Sequence, residues 1–207
     1  MSLFDDCTPT LTPIPRKICA FNIGQVAKLA FWDASKPSPF TSTTILTAAG
    51  WTAAVTDDDN PVIVSNRLNN FVIPNSERVE TAADTNANAM PELLRGGNVM
   101  ASGNIRSVSP AEYAAYLSLI PFSQVDVGES NLAFAMINSA NEIIFNPTAA
   151  SLGFDAYALF IGSPSAVAEL GGNSLAAINF MMLSDWFKGA QKGQIAFDFL
   201  RTYPLAA

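Results

Sequence analysis

The sequence predicts a mainly β domain with one short helix packed on a sheet and one long polar excursion, and three observations carry that expectation. Short apolar runs bounded by Gly, Pro, Asn and Ser recur along most of the 207 residues, several of them alternating with period two. Residues 109–122 carry both a helix start and a helix stop. Residues 74–103 hold no sustained period, and at about 30 residues they exceed the 12 to 15 above which a structureless connection usually has a function.

Composition narrows the class. Hydrophobic residues make up 49% of the chain and charged residues 14%, against a usual charged share of about 25%. Such a surface is covered by Ser, Thr, Asn, Gly and Ala or hidden against copies of the same chain, and the second is expected because an uncharged surface is poorly protected from association. The 11 Lys and Arg are outnumbered by 18 Asp and Glu, giving a net charge of −7. Sequence-reading of nucleic acid needs clustered cations to meet phosphate, so that class is excluded. Cys7 and Cys19 are too few for a disulfide framework and fit a reducing compartment, with a single link between them left open. No basic region followed by an apolar run opens the chain, and no run reaches the roughly 18 apolar residues of a membrane span. Synthesis and folding in the cytoplasm without membrane insertion are expected. No fixed-period repeat or linker divides the 207 residues, so one domain is expected.

In chain order, residues 1–15, with Pro9, Pro13 and Pro15, read as an N-terminal arm. Residues 16–23 read as a strand, Gly24 and Gln25 as a turn, and residues 26–32 as a strand apolar on both faces. Residues 33–44 read as a loop with Phe40 packed back. Residues 45–46 and 51–55 read as strand pieces parted by Gly50. Asp57, Asp58 and Asp59 read as a solvated loop tip. Three adjacent carboxylates suit a hard cation by charge, but the run lacks the alternating oxygen ligands, turn Gly and final Glu of a calcium loop. Residues 61–64 and 71–73 are short strands. Within the long excursion, Asn75, Glu80, Asn86, Asn88, Leu94, Arg95, Gly96 and Gly97 mark an arm expected to order against a neighbouring subunit, with an ordinary long hairpin holding an unrecognised strand as the alternative. The Gly pair is not followed by the Lys-Ser or Lys-Thr of a phosphate cradle.

The chain is expected to return to the sheet over residues 98–108. Ser109 then supplies an N-cap, Pro110 suits the first helical position, and Glu112 completes a capping box. Tyr113, Tyr116, Leu117 and Ile120 form one apolar stripe facing a sheet, and Pro121 marks the stop. Strands follow over residues 125–127, 132–137, 142–145, 154–161 and 178–183, the second and third joined as a hairpin by residues 138–141. Residues 191–194 read as an exposed turn. Ile195, Phe197 and Phe199, alternating with Ala196, Asp198 and Leu200, read as the clearest half-exposed strand.

Chemistry is sparse. With no histidine, the Ser–His–acid arrangement, the Cys–His nucleophile and histidine-based zinc sites are all absent. Asp126 with Glu129, or Asp155 with Asp198, are the acid pairs a fold might assemble, although isolated strand acids usually sit on the surface. Trp186, Phe187, Phe197 and Phe199 form an apolar cluster in the C-terminal part. No catalytic residue, metal or cofactor is expected, and the protein is read as a non-enzyme.

The order of features, with residues 69–75 (NNFVIPN), residues 94–98 (LRGGN) and the turn after Phe160, resembles the tail-tube proteins of long-tailed bacteriophages, in the divergent form found in phages of Bacteroidetes-like hosts. The resemblance covers most of the chain in outline. It implies a β sandwich or barrel-like sheet flanked by the helix, assembled into hexameric rings stacked as a hollow tube in the virion. The genomic DNA would pass without specific binding, and other tail proteins would be partners. On that reading residues 74–103 reach another subunit, and Asp57, Asp58 and Asp59 are an acidic patch on the lumen or the outer surface. A tail-completion, baseplate or capsid-decoration protein, and a small sugar- or peptide-binding module, are the rival readings.

Overall fold

A computed structural model describes residues 23–74, 99–123, 130–165, 174–183 and 186–202. The residues between and beyond these, among them the N-terminal arm, Cys7, Cys19, Asp126, Glu129 and the excursion markers from Asn75 to Gly97, lie outside the described residues. The strands form two antiparallel sheets stacked as a sandwich, and among the described residues neither sheet closes into a barrel. The larger sheet contains β1 (Val26–Asp33), β2 (Ile63–Val64), β5 (Leu132–Asn138), β6 (Glu142–Phe145), β7 (Phe154–Asp155) and β10 (Gln191–Gln194). Its order is β10-β6-β5-β1-β2, with β7 also on β5. The smaller sheet contains β3 (Leu68–Val72), β4 (Val99–Arg106), β8 (Tyr157–Ile161) and β9 (Leu175–Met182), in the order β3-β4-β9-β8.

Alternation along the strands builds two cores. Leu29 and Phe31 of β1, with Phe134 and Met136 of β5, face Ala101, Ile105, Ile178 and Phe180 of the smaller sheet. Phe134 meets Phe180 edge-on with ring centres 4.7 Å apart, a geometry that adds to the burial of both rings. From the other face of the larger sheet, Ala30, Trp32, Ala135 and Ile137 meet Phe40, Ile45 and Trp51. All seven residues of β5 are buried because both its faces are covered.

The second core is closed by a helix where strands were expected. Residues 45–55 form a 3₁₀ turn (Thr44–Leu46) and α1 (Ala48–Val55). The Thr47 hydroxyl caps α1 by accepting from the Gly50 amide at 3.2 Å. Gly50 also lets α1 sit on the preceding turn, since a Cβ there would stand 2.2 Å from the Thr44 carbonyl oxygen. The buried Trp51 donates its indole N–H to the Ile45 carbonyl at 2.7 Å. Tertiary burial of Trp51 thus outweighs the β preference of a short apolar run.

α2 (Pro110–Ser118) has the expected capping box, but it does not lie on an open sheet face. Tyr116 and Leu119 enter the core between the two sheets, so α2 plugs its side. Leu117, placed in the expected stripe, is 37% exposed. α2 stops at Ser118, ahead of Pro121 as expected, and a 3₁₀ turn (Ile120–Ser123) carries the chain on through the proline. In that tighter turn no i−4 bond is required of the proline.

Three further expectations change. The run 154–161 divides at the buried Ala156 into β7 of one sheet and β8 of the other, a corner by which a strand passes between layers. Residues 191–194 are not a turn but β10, whose pairing with β6 uses backbone groups and an ion pair of 2.9 Å between Lys192 and Glu142. Residues 195–200 are not a strand. The Asn141 amide donates to the carbonyls of Ile195 and Phe197, while its oxygen accepts from the Phe199 amide, and the chain enters α3 (Phe199–Thr202). The described part therefore has three α-helices rather than one. β4 begins at Val99, so the last five positions of the 74–103 excursion belong to the sheet.

Candidate functional site

Of the two acid pairs, Asp126 with Glu129 lies outside the described residues, and Asp155 and Asp198 stand in different surroundings. Among the described residues, no group of three or more Cys, Asp or Glu side chains is placed to hold a metal ion. Asp198 pairs with Arg201 at 3.3 Å ahead of α3, whereas Asp155 lies on β7 in a cleft beside Met182 and Trp186. The four-ring aromatic cluster also divides. Trp186 and Phe187 meet edge-on, Trp186 against the inter-sheet core, while Phe197 and Phe199 pack in the second core with α1.

Asp57, Asp58 and Asp59 are exposed in the loop after α1. The Asp57 carboxylate accepts from the amides of Asn60 and Asp59, and these bonds hold its pKa below the usual carboxylate range. Lys36 donates its ammonium to the Asp59 carbonyl. The loop presents the buried Asn60, whose side chain accepts from the Asp33 amide at 3.0 Å and donates to the carbonyls of Asp33 and Pro37. Asp57 is thus a turn residue that positions a buried amide, and the acidic run sits on the α1 layer.

On α2, Tyr116 is buried and its phenol oxygen accepts from the Asn66 amide at 3.1 Å. Burial pushes its pKa up to about 12. Tyr113 is half-buried with its hydroxyl 3.4 Å from that of Ser163, and Ile120 is half-buried against the inter-sheet core. These residues tie the β2–β3 crossing to the smaller sheet, a packing role.

The feature sequence reasoning missed is the outer face of the smaller sheet. α1 covers the larger sheet, but among the described residues no helix covers this one. Cross-strand pairs set its lining: Met100 opposite Met181, Ser102 opposite Asn179, Asn104 opposite Ala177 and Arg106 opposite Leu175. On the flanking strands Val72 pairs with Ser102 and Phe160 with Asn179. Val72, Met100 and Phe160 are 54%, 57% and 56% exposed. Arg106 is the single charge in this set. The period-two alternation of residues 175–182 carried the signal, with Leu175, Ala177 and Met181 as apolar residues on the outward side.

Two open clefts meet at Trp186. One, of about 370 Å³, is lined by Asn146, Asp155, Met182, Trp186 and Lys188 among others. The other, of about 500 Å³, lies between residues 23–26, residues 71–74 and the Trp186–Phe187 pair. Asp155 is half-buried in the first, and burial raises its pKa above the usual carboxylate range. No family model, curated protein or solved structure matches the chain.

Proposed function

We propose that the chain is a structural subunit of a bacteriophage tail, assembling with copies of itself into hexameric rings that stack as a tail tube through which genomic DNA passes without specific binding. The observation that carries this reading is the outer face of the smaller sheet, which no helix among the described residues covers. A sandwich sealed by α1 on one side exposes on the other a pleated surface holding Met100, Phe160 and Val72 and one charge. Exposed apolar side chains gathered on one sheet face mark association sites, and a face with a single charge offers little repulsion to a second copy. The net charge of −7 favours a conduit over a binder, because phosphates meet no concentration of cations. Asp57, Asp58 and Asp59, on the α1 layer, then lie away from that contact, on the lumen or the outer surface.

The test is negative-stain imaging of concentrated purified protein together with solution mass. Tubes or stackable annuli are the expected result. A discrete single ring points instead to a tail-completion or baseplate protein, and monomers persisting across salt and concentration overturn the reading.

A further inference from the structure

Complementary groups stand beside the two ends of β9 and cannot meet within one chain. At one end stands Arg106, exposed, its guanidinium bonded among the described residues to the Asn69 side-chain oxygen at 3.2 Å. At the other end is the cleft of about 370 Å³ holding Asp155, with Met182 in its wall. Arg106 pairs with Leu175 and the cleft with Met182, seven positions along β9, so about 23 Å of strand separates them. The Asp155 carboxylate has lost part of its hydration, which raises its pKa, and among the described residues it has no ion pair, although the backbone of Asp155 pairs with Ala133 of β5. Lys188 lines the same cleft without pairing to it.

We propose that Arg106 of one copy seats in the Asp155 cleft of the next, an end-to-end contact that stacks subunits along the strands of the smaller sheet. This rests on the self-assembly reading and names one of its contacts. A planar guanidinium suits the cleft better than the ammonium of Lys188, because it meets a carboxylate with two parallel N–H bonds and stacks on the Trp186 ring. An acid left half-dry and unpaired is costly, and a cation arriving from outside removes that cost. Because the two partners lie at opposite ends, the contact is heterologous and propagates from copy to copy, as a stacked tube requires.

A double-mutant cycle on the full chain tests the contact. The critical concentration for assembly is read by light scattering and imaging for wild type, Asp155→Asn, Arg106→Gln and the double variant. Each single variant is expected to raise it at least about tenfold, and the double variant no further than either single, because both remove one contact. Arg106→Lys, which keeps charge but loses the fork, is expected to fall between. Should Asp155→Asn unfold the chain, the Arg106 variants carry the test alone, since that side chain is exposed. Tubes that form normally with Arg106→Gln, or losses that simply add, overturn this contact and leave the self-assembly reading standing. A wild-type chain that never assembles removes both.

Discussion

Lys28 is the one cation buried among the described residues. It lies on β1 opposite Ile137, on the face packed against α1, with no counter-charge among the described residues, and burial together with repulsion from Arg67 lowers its pKa from 10.5 to about 8. The folded chain thus releases this proton more easily than the unfolded one. Between pH 8 and 10.5 the unfolded state binds more protons, so stability rises with pH through that window. Tyr116 acts in the opposite sense: its folded pKa of about 12 lies above the unfolded value of 10, so its contribution falls away above pH 10. Urea midpoints measured from pH 7 to 9 should increase. Lys28→Met should flatten that rise and stabilise the protein at pH 7 by about 1–2 kcal/mol; a midpoint that falls with pH in both proteins contradicts the assignment. Asn141 is the other residue on which much depends, since one side chain holds Ile195, Phe197 and Phe199 in place. Its backbone is left-handed, with φ 63°, which asparagine tolerates. Asn141→Gly keeps that conformation and removes the side chain, and is expected to cost about 2–3 kcal/mol in chemical unfolding. A loss no larger than that of an ordinary surface change would show that the C-terminal turn holds without it.

At the level of elements, the contrast between α1 and α2 is instructive. α2 was readable because its signals are local: Ser109, Pro110 and Glu112 act on backbone groups within four positions. α1 was misread because its cause is remote. Trp51 packs on Phe40 and Phe199, each with ring centres 4.6 Å away, and no local window contains those partners. The same remoteness explains residues 195–200, where Ile195 and Phe199 enter the core of α1 while Asn141 bends the backbone. Apolar alternation there recorded two returns to one core, not the two faces of a strand. Gly50 offers a test of the α1 assignment. Gly50→Ala would normally favour a helix, but here the methyl meets the Thr44 carbonyl, so a loss of about 1–3 kcal/mol is expected from thermal or urea unfolding. A gain in stability would mean that α1 does not rest on its preceding turn.

For the whole molecule, the asymmetry between the two outer faces matters most. Trp51 and its neighbours seal the larger sheet, whereas the smaller sheet presents its residues outward. If that face meets another copy, charges placed on its exposed apolar side chains should block assembly and leave folding almost untouched. Met100→Glu and Phe160→Glu are each expected to change stability by less than about 0.5 kcal/mol, as surface substitutions do, and together to abolish higher oligomers in sedimentation. Assemblies of unchanged size in the double variant would place the contact elsewhere.

What residue order alone could establish was whatever depends on near neighbours or on totals. The β class follows from period-two runs, the capped helix from Ser109 to Glu112, the 138–141 hairpin turn from its residue types, and the lack of histidine chemistry from a count. Which apolar run became α1, where residues 154–161 changed sheets, and which sheet face is left without a helix among the described residues were decided by the packing of distant segments. Burial is a property of the assembled layers: Met100 and Phe180 look alike in a hydrophobic pattern, yet one is 57% exposed and the other 1%. Only the stacking of one sheet on the other distinguishes the side of a strand that is core from the side left open to a partner.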